Sequence, residues 1–232
     1  MNTSTRASTG NWRTPAIVLI CGGLALTIAL GTRHSFGLFL LPMTMDLEWN
    51  RQTFAFAMAL QNLVYGIAQP FTGMIADRFG AARVMVAGTV VYALGLLWMA
   101  NPGGGTDFSL SAGVMIGIAL SCSGFSIVFG VVGRAFPPEK RSMALGIAGA
   151  AGSLGQFVML PFGQLLINQI GWHYALMTLA LVVLVIAPLS AAMVEDRSVQ
   201  PSSQSRQSVP EALREAGRHP LPSVRAALRP YS

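Results

Sequence analysis

The segment Gly73-Met-Ile-Ala-Asp77-Arg78-Phe-Gly80-Ala-Ala-Arg83 carries three charged side chains and lies between two long apolar runs. Such contrast marks the whole chain, in which 53% of the 232 residues are hydrophobic and 10% are charged. A typical soluble domain has about 25% charged residues. Because this chain could not cover a globular surface with polar groups, it is not an ordinary soluble enzyme. The segment is therefore predicted to be a short loop between two membrane-spanning helices.

Apolar runs long enough to cross a bilayer recur along the chain. A hydrocarbon core about 30 Å thick needs roughly 20 apolar residues in a helix. Six runs meet that length, and the predicted spans are residues 15–41, 53–75, 84–100, 110–133, 143–167 and 174–194. The sequence thus predicts an all-α membrane protein with six transmembrane helices.

The two ends of the chain differ from this body in composition. Residues 195–232 hold 10 charged side chains in 38 positions, whereas residues 15–194 hold 12 in 180. The C-terminal stretch is also rich in Ser and Gln, which is typical of disordered segments. The predicted domains are an N-terminal tail (1–14), a six-span bundle (15–194) and a polar, disordered tail (195–232).

Basic residues fall on one side of the predicted bundle. With a cytoplasmic N-terminus, 13 Lys and Arg residues lie in cytoplasmic tails and loops, and only Arg51 lies outside. Cytoplasmic loops are enriched in basic residues, so both termini are predicted to be cytoplasmic and the protein to be a multi-pass protein of the inner membrane. Topology accounts for the net charge of +6, and no nucleic-acid partner is predicted.

Two proline-containing motifs suggest an internal repeat. The second span ends in Gln69-Pro70-Phe71-Thr72-Gly73, and the fifth carries Leu160-Pro161-Phe162-Gly163. Inverted three-span repeats are a recurrent architecture of secondary transporters, and an internal proline permits a helix to bend. The six spans are therefore predicted to form a 3+3 inverted repeat.

Charged residues are scarce inside the predicted spans, which contain no Asp or Glu. Arg33 lies inside span 1 and His34 follows it. A charge in hydrocarbon costs about 2.5–3.5 kcal/mol on insertion scales, so Arg33 is predicted to face an anion in an aqueous path. The alternative is that Arg33 snorkels to the outer interface. His34 is either a proton carrier or a hydrogen-bonded packing residue.

Span 2 carries a polar stripe. At 100° per residue, its members share one arc of about 100° on the helix. Lipid would not tolerate that arc, so the stripe is predicted to line a substrate path, with hydrogen bonding between helices as the alternative. Its members are Gln61, Asn62, Tyr65 and Gln69.

Small residues in span 5 point to close helix packing. Gly146, Gly149, Gly152 and Gly155 recur every three residues. Small side chains allow helix backbones to approach closely in membranes.

The loop between spans 2 and 3 also resembles a known motif. Its pattern, Gly-x3-Asp-Arg-x-Gly-x2-Arg, is similar to the loop 2–3 signature of the major facilitator superfamily. The connection Arg134-Ala-Phe-Pro-Pro-Glu-Lys-Arg141 is similar to the span 4–5 connection of that superfamily. Gly31-Thr-Arg33-His34-Ser35-Phe36-Gly37 resembles span 1 of its bacterial branch of monocarboxylate and oxalate/formate carriers.

The resemblance implies half of a twelve-helix fold, with a substrate cavity between two six-span halves. It implies alternating-access transport of a small organic, monocarboxylate-like anion, without enzyme activity, metal or cofactor. Arg33, His34 and the polar stripe would form the substrate path. Gly73 is expected to allow close helix contact and Gly80 a tight turn. The residues of the implied conformational latch are Gly73, Asp77, Arg78, Gly80, Arg83 and Arg134.

This chain departs from the family pattern because only six spans are predicted. A truncated carrier that lacks its C-terminal half is the main expectation, and a genuine half-size protein that pairs as a homodimer is the alternative. An inert membrane fragment is the most serious rival function, and a nucleotide-driven permease subunit is a distant one. A rhomboid-type protease is disfavoured, since Ser121-Cys122-Ser123-Gly124 lacks the first glycine of the protease motif and His173 falls at the mouth of span 6.

Overall fold

The computed structural model describes residues 14–194, and every regular element in that part of the chain is helical. The predicted tails, apart from Thr14, lie outside the described residues. A π-helical turn, Ser109–Met115, joins the fifth helix to the sixth, and a 3-10 turn, Ala191–Met193, follows the last helix. The helices are α1 (Pro15–His34), α2 (Phe36–Asp46), α3 (Arg51–Phe79), α4 (Ala81–Ala100), α5 (Gly105–Phe108), α6 (Ile116–Ser123), α7 (Phe125–Ala135), α8 (Pro138–Leu184) and α9 (Ile186–Ser190).

Four helical stretches of the described part are long and apolar enough to cross a membrane. They are Pro15–Asp46, Ala81–Ala100, Gly105–Ala135 and Pro138–Met193. The helix α3 has 29 residues, but its amide side chains make it less apolar than these four. The coarse prediction of an all-helical membrane protein is therefore confirmed.

Two glycines set the direction of the chain between long helices. Gly80 alone separates α3 from α4, and its φ of 98° is a backbone conformation that other residues rarely adopt. Gly171 has a φ of 77° and kinks α8, whose 47 residues would otherwise extend about 70 Å. The break expected between the fifth and sixth predicted spans, at residues 168–173, is thus a kink at a single glycine.

Helices α1 and α8 pack in close backbone contact. A Cβ atom added at Gly155 would fall against the backbone of Thr27, and one added at Gly31 would lie 2.5 Å from the Gly155 carbonyl oxygen. The Thr27 hydroxyl also donates a hydrogen bond to the Ala151 carbonyl at 2.7 Å. The tight packing predicted for the span 5 glycines is confirmed at Gly155.

Hydrogen bonds between helices complete the described core. The buried Tyr92 hydroxyl of α4 donates to the Ala29 carbonyl of α1 at 3.1 Å, and Thr72 of α3 donates to the Ser121 carbonyl of α6 at 3.1 Å. Helix α3 also packs against the π-helical turn. This packing places the polar stripe of α3 near the C-terminal end of α1.

Candidate functional site

Arg33, near the C-terminal end of α1, contacts three members of the predicted polar stripe on α3. Its Nε donates to Gln61 Oε1 at 3.4 Å, and its Nη2 donates to Asn62 Oδ1. Its guanidinium carbon lies 5.5 Å from the centroid of the Tyr65 ring, which is within cation–π range. The structure therefore brings four of the six predicted path residues into one cluster.

The partners of Arg33 are all uncharged. Among residues 14–194, Arg33 forms no ion pair with a carboxylate. Amide oxygens satisfy guanidinium hydrogens without cancelling the positive charge. Arg33 is only partly buried, so it presents a fixed cation that an anion can approach.

Contacts to backbone carbonyls fix the two amides of the cluster. Gln61 is 1% exposed, and its Nε2 donates to the Ala112 carbonyl of the π-helical turn at 2.6 Å. Asn62 Nδ2 donates to the Met58 carbonyl at 2.8 Å. Because the NH₂ group of each amide is committed to a carbonyl, each amide oxygen faces Arg33. Ala112 could not be recognised from the sequence, because the acceptor is a backbone atom of an apolar segment.

The side chain of Tyr65, on α3, lies beside Gly124, the residue that separates α6 from α7. At Gly124 the backbone turns out of the helix, with a ψ of −166°. A Cβ atom placed on Gly124 would lie 3.2 Å from the Tyr65 hydroxyl. The break therefore makes room for the ring that covers the Arg33 guanidinium.

The other two predicted path residues lie outside this cluster. His34 is exposed, and its Nδ1 is 2.7 Å from the Leu30 carbonyl, so that nitrogen carries a proton and the ring is held on its own helix. Gln69 is partly buried and lies eight residues beyond Gln61 on α3, about 12 Å along the axis. Thus His34 and Gln69 are not brought together with the partners of Arg33.

A second polar contact joins α3 to α7. Arg134 Nη1 lies 3.7 Å from Asp77 Oδ1, and the two side chains are 46% and 72% exposed. Arg78 lies over the Phe79 ring, with 5.5 Å between the guanidinium carbon and the ring centroid. Arg83 is exposed in the first turn of α4. Two of the predicted latch residues, Asp77 and Arg134, therefore form an ion pair.

Within residues 14–194, the close helix contact expected at Gly73 is not observed. A Cβ atom added there would meet no atom within 4 Å. The loop motif places Gly73 on a part of α3 that faces open space in the described residues, and only Gly80 of its two glycines is required by backbone geometry.

Other site types receive no support from the described residues. No group of three His, Cys, Asp or Glu side chains there could hold a metal ion. The buried hydroxyls of Ser121 and Ser123 donate to the carbonyls of Ile118 and Ala119 within their own helix, at 2.6 and 3.0 Å. Hydroxyls held in this way are packing groups of α6, which weakens the protease alternative further.

One polar contact between helices was not predicted from the sequence. Trp172 Nε1, just after the kink in α8, donates to Asp46 Oδ2 at the end of α2, at 3.0 Å. These residues lie far apart in sequence, and neither belongs to a motif. Only the three-dimensional packing of α2 against α8 reveals the pair.

Long apolar helices, close glycine contacts and a cation held by uncharged groups together define a helical membrane protein with a polar site between helices. The sequence model of the Major Facilitator Superfamily matches residues 11–230. The chain therefore belongs to the Major Facilitator Superfamily, a superfamily of membrane transporters, as its loop motif indicated.

Several curated relatives match the chain over most of its length. It is 28% identical to Monocarboxylate transporter 11 of Mus musculus over 186 residues, which are 78% of this chain and 39% of that protein. It is 29% identical over 153 residues to Probable anion transporter 4, chloroplastic, of Arabidopsis thaliana, covering 64% of this chain and 28% of that protein. An uncharacterized MFS-type transporter, YcxA, of Bacillus subtilis (strain 168) is 28% identical over 145 residues, covering 61% of this chain and 34% of that protein. The chain thus spans about two fifths or less of the length of these relatives.

Proposed function

We propose that this chain forms one wall of a secondary transporter that moves a small organic, monocarboxylate-like anion by alternating access. The observation that carries the proposal is the state of Arg33, whose contacts in the described residues are to uncharged groups. Maintaining a cation in an apolar bundle is costly, and such residues commonly mark ion or substrate pathways. The names of two relatives, a monocarboxylate transporter and a probable anion transporter, support an anion as the cargo.

The proposal includes a six-span topology. Helix α3 is long enough to cross the membrane with its polar stripe turned toward the path, and α8 crosses twice with Gly171 between the crossings. The prolines Pro70 of α3 and Pro161 of α8 both lie inside long helices, which supports the proposed 3+3 inverted repeat. The basic-residue distribution supports a multi-pass protein of the inner membrane with both termini in the cytoplasm.

The Asp77–Arg134 pair is proposed to act as the cytoplasmic latch. It joins the end of α3 to the last turn of α7. Both side chains are largely exposed, so the pair contributes little to stability and can open and close at low cost. Arg78, Gly80 and Arg83 would complete the latch by setting the turn and the positive charge of the loop.

The substrate cavity requires a second wall. In the carrier architecture that the resemblance implies, two six-helix halves enclose the site. Helices α3 and α8 carry exposed large apolar residues, such as Phe71 at 57% and Phe157 at 77% exposure, on faces that a second bundle could cover. The second wall is proposed to be another copy of this chain.

Uptake into proteoliposomes at high protein density tests the proposal. The chain should accumulate radiolabelled pyruvate, a small monocarboxylate, and Arg33→Ala should lower uptake at least about tenfold, since losing a charge-assisted contact costs 1.4 kcal/mol or more. Arg51→Ala removes an exposed arginine at the start of α3 and is the matched control; its uptake should stay within about twofold of wild type, because exposed surface charges contribute little.

Two results would overturn the proposal. Equal uptake by wild type and Arg33→Ala would show that Arg33 extends to the outer membrane interface and does not bind the transported anion. The absence of uptake at every protein density would identify the chain as an inert membrane bundle.

A further inference from the structure

We propose that Gln61 is a positioning residue that, together with Asn62, holds the side edge of the Arg33 guanidinium and leaves its end edge open for the carboxylate of the substrate. The inference rests on the proposed anion transport, but its geometry belongs to the chain itself. It assigns Gln61 a role distinct from lining the path, because Gln61 is buried.

The contacts define which edge of the guanidinium is occupied. Nε–H and the neighbouring hydrogen of Nη2 form the side edge of an arginine. Gln61 Oε1 accepts from Nε, and Asn62 Oδ1 accepts from Nη2. The remaining hydrogens, on Nη1 and the outer side of Nη2, form the end edge, which suits a bidentate carboxylate. Tyr65 covers one face of the group. The end edge is thus the part left for the ligand.

The side chains of Gln61 and Asn62 together form a clamp on Arg33. Because both are neutral amides, the clamp leaves Arg33 charged and able to bind an anion. A carboxylate in place of either amide would satisfy the same hydrogens and also neutralise the cation. An amide satisfies them as a neutral acceptor. It restricts the long arginine side chain to one orientation, so less conformational entropy is lost when an anion binds.

Gln61 in turn depends on the π-helical turn. Its NH₂ group donates to the Ala112 carbonyl at 2.6 Å, which turns its oxygen toward Arg33. Glycines of the facing segment allow this approach: a Cβ atom at Gly113 would lie 3.2 Å from the Ala57 carbonyl oxygen, and one at Gly117 would lie 3.0 Å from the Gln61 carbonyl oxygen. π-Helical turns occur frequently at functional sites. The turn here sets the orientation of Arg33 through Gln61.

Kinetics of pyruvate uptake test the clamp. Gln61→Met keeps the side-chain length without the amide, and Asn62→Ala removes the exposed partner. Each should raise KM about tenfold and leave the maximal rate within about twofold, since a mis-oriented Arg33 binds the anion less well. Gln61→Glu should raise KM at least as much, because the new carboxylate neutralises Arg33. Gln52→Glu, the same substitution at an exposed position of α3, is the matched control and should behave as wild type.

Chemical modification of Arg33 gives a second reading that does not require transport. Phenylglyoxal condenses with two guanidinium nitrogens, and Nη2 of the clamped Arg33 is held by Asn62 Oδ1. An Arg33 released from these contacts should therefore be modified at least about threefold faster than the clamped one, while the exposed Arg51 reacts at an unchanged rate in the same sample. The rates are measured by peptide mass spectrometry on Gln61→Met, Asn62→Ala and wild type.

Uptake kinetics and the rate of Arg33 modification test the clamp and the proposed anion transport separately. Faster modification of Arg33 in the variants, with no pyruvate uptake by wild type, would support the clamp and overturn the anion transport. Uptake by wild type with unchanged KM and unchanged Arg33 modification in both Gln61→Met and Asn62→Ala would overturn the clamp alone. Because Asn62 is exposed, Asn62→Ala keeps the test decisive if Gln61→Met fails to fold.

Discussion

Among single residues, Arg33 is the one whose charge is costly to keep inside the apolar bundle, and it is also the one proposed to bind the anion. A charge inside an apolar span costs about 2.5–3.5 kcal/mol on insertion scales. The contacts to Gln61, Asn62 and Tyr65 offset part of that cost while leaving the charge intact. A residue kept only for packing would be better replaced by an apolar one, so the cluster is consistent with an anion-binding role.

The Asp77–Arg134 pair should matter for conformation more than for stability. Asp77→Asn should change the free energy of unfolding by less than about 1 kcal/mol, because exposed ion pairs are worth little. It should nevertheless lower pyruvate uptake, since the bundle loses a contact that holds α3 to α7 and is biased away from its outward-facing state. Thermal unfolding in detergent and uptake in proteoliposomes measure the two effects on the same preparation.

Glu139→Gln is the control for this variant. It removes an exposed acid from the first turn of α8, close in sequence to Arg134. Uptake by Asp77→Asn at the level of Glu139→Gln would reduce Asp77 to a residue of the loop without a gating role.

The residues of the site could be predicted in part from the sequence. Helical periodicity was enough to place Gln61, Asn62 and Tyr65 on one face, because side-chain direction follows directly from 100° per residue. The burial of Gln61 could not be predicted, since it depends on the Ala112 carbonyl of a different helix. Hydropathy carries no information about backbone acceptors.

At the scale of elements, the contact between α1 and α8 is the tightest constraint on the bundle. The backbone of Thr27 lies where a side chain on Gly155 would extend, and backbone atoms cannot move aside cheaply. The Thr27–Ala151 hydrogen bond adds direction to this contact. Together they hold α1, and with it Arg33, at a fixed height against α8.

Gly155→Ala should therefore destabilise the bundle. Forcing a methyl group into this contact should cost about 1–3 kcal/mol, as overpacking does in well-packed cores. Gly146→Ala is the matched control in the same helix, where an added Cβ meets no atom within 4 Å. That change should be neutral or stabilising, because Ala favours helix by up to about 1 kcal/mol over Gly. Denaturation midpoints in one detergent compare the two; equal midpoints would mean that α1 and α8 do not approach closely in the membrane.

Element boundaries were harder to predict than element type. Apolar runs identified helices because backbone groups in lipid must bond internally. The same rule does not say where a helix ends, and α8 continues through the break expected at residues 168–173, where it is kinked at Gly171. The span expected at residues 110–133 is interrupted by the π-helical turn and by Gly124. Such breaks arise from packing against α3 and leave no trace in hydropathy.

At the scale of the whole molecule, the distribution of charge sets the proposed orientation. On a background in which Cys21 and Cys122 are replaced, an impermeant thiol reagent added outside the cell should label Thr106→Cys and spare Ser142→Cys. Both positions are exposed in the structure, so accessibility to water alone would not distinguish them. Labelling of Ser142→Cys from outside would reverse the proposed topology.

A working carrier is proposed to need two copies of this chain. One copy offers one wall, and the exposed Asn62 and the partly buried Arg33, Tyr65 and Gln69 would then border lipid, where polar groups are costly. The halves of this architecture are related by an axis along the membrane normal, so two copies in the same orientation could enclose the site.

The number of copies that a working carrier needs can be counted in single vesicles. The chain, labelled with one fluorophore, is reconstituted at low density, and copies per vesicle are counted by stepwise bleaching alongside pyruvate-dependent uptake. Vesicles with one copy should show no uptake, and uptake should begin with two copies and disappear in Arg33→Ala. Saturable pyruvate uptake by vesicles that hold a single copy would show instead that one copy is sufficient.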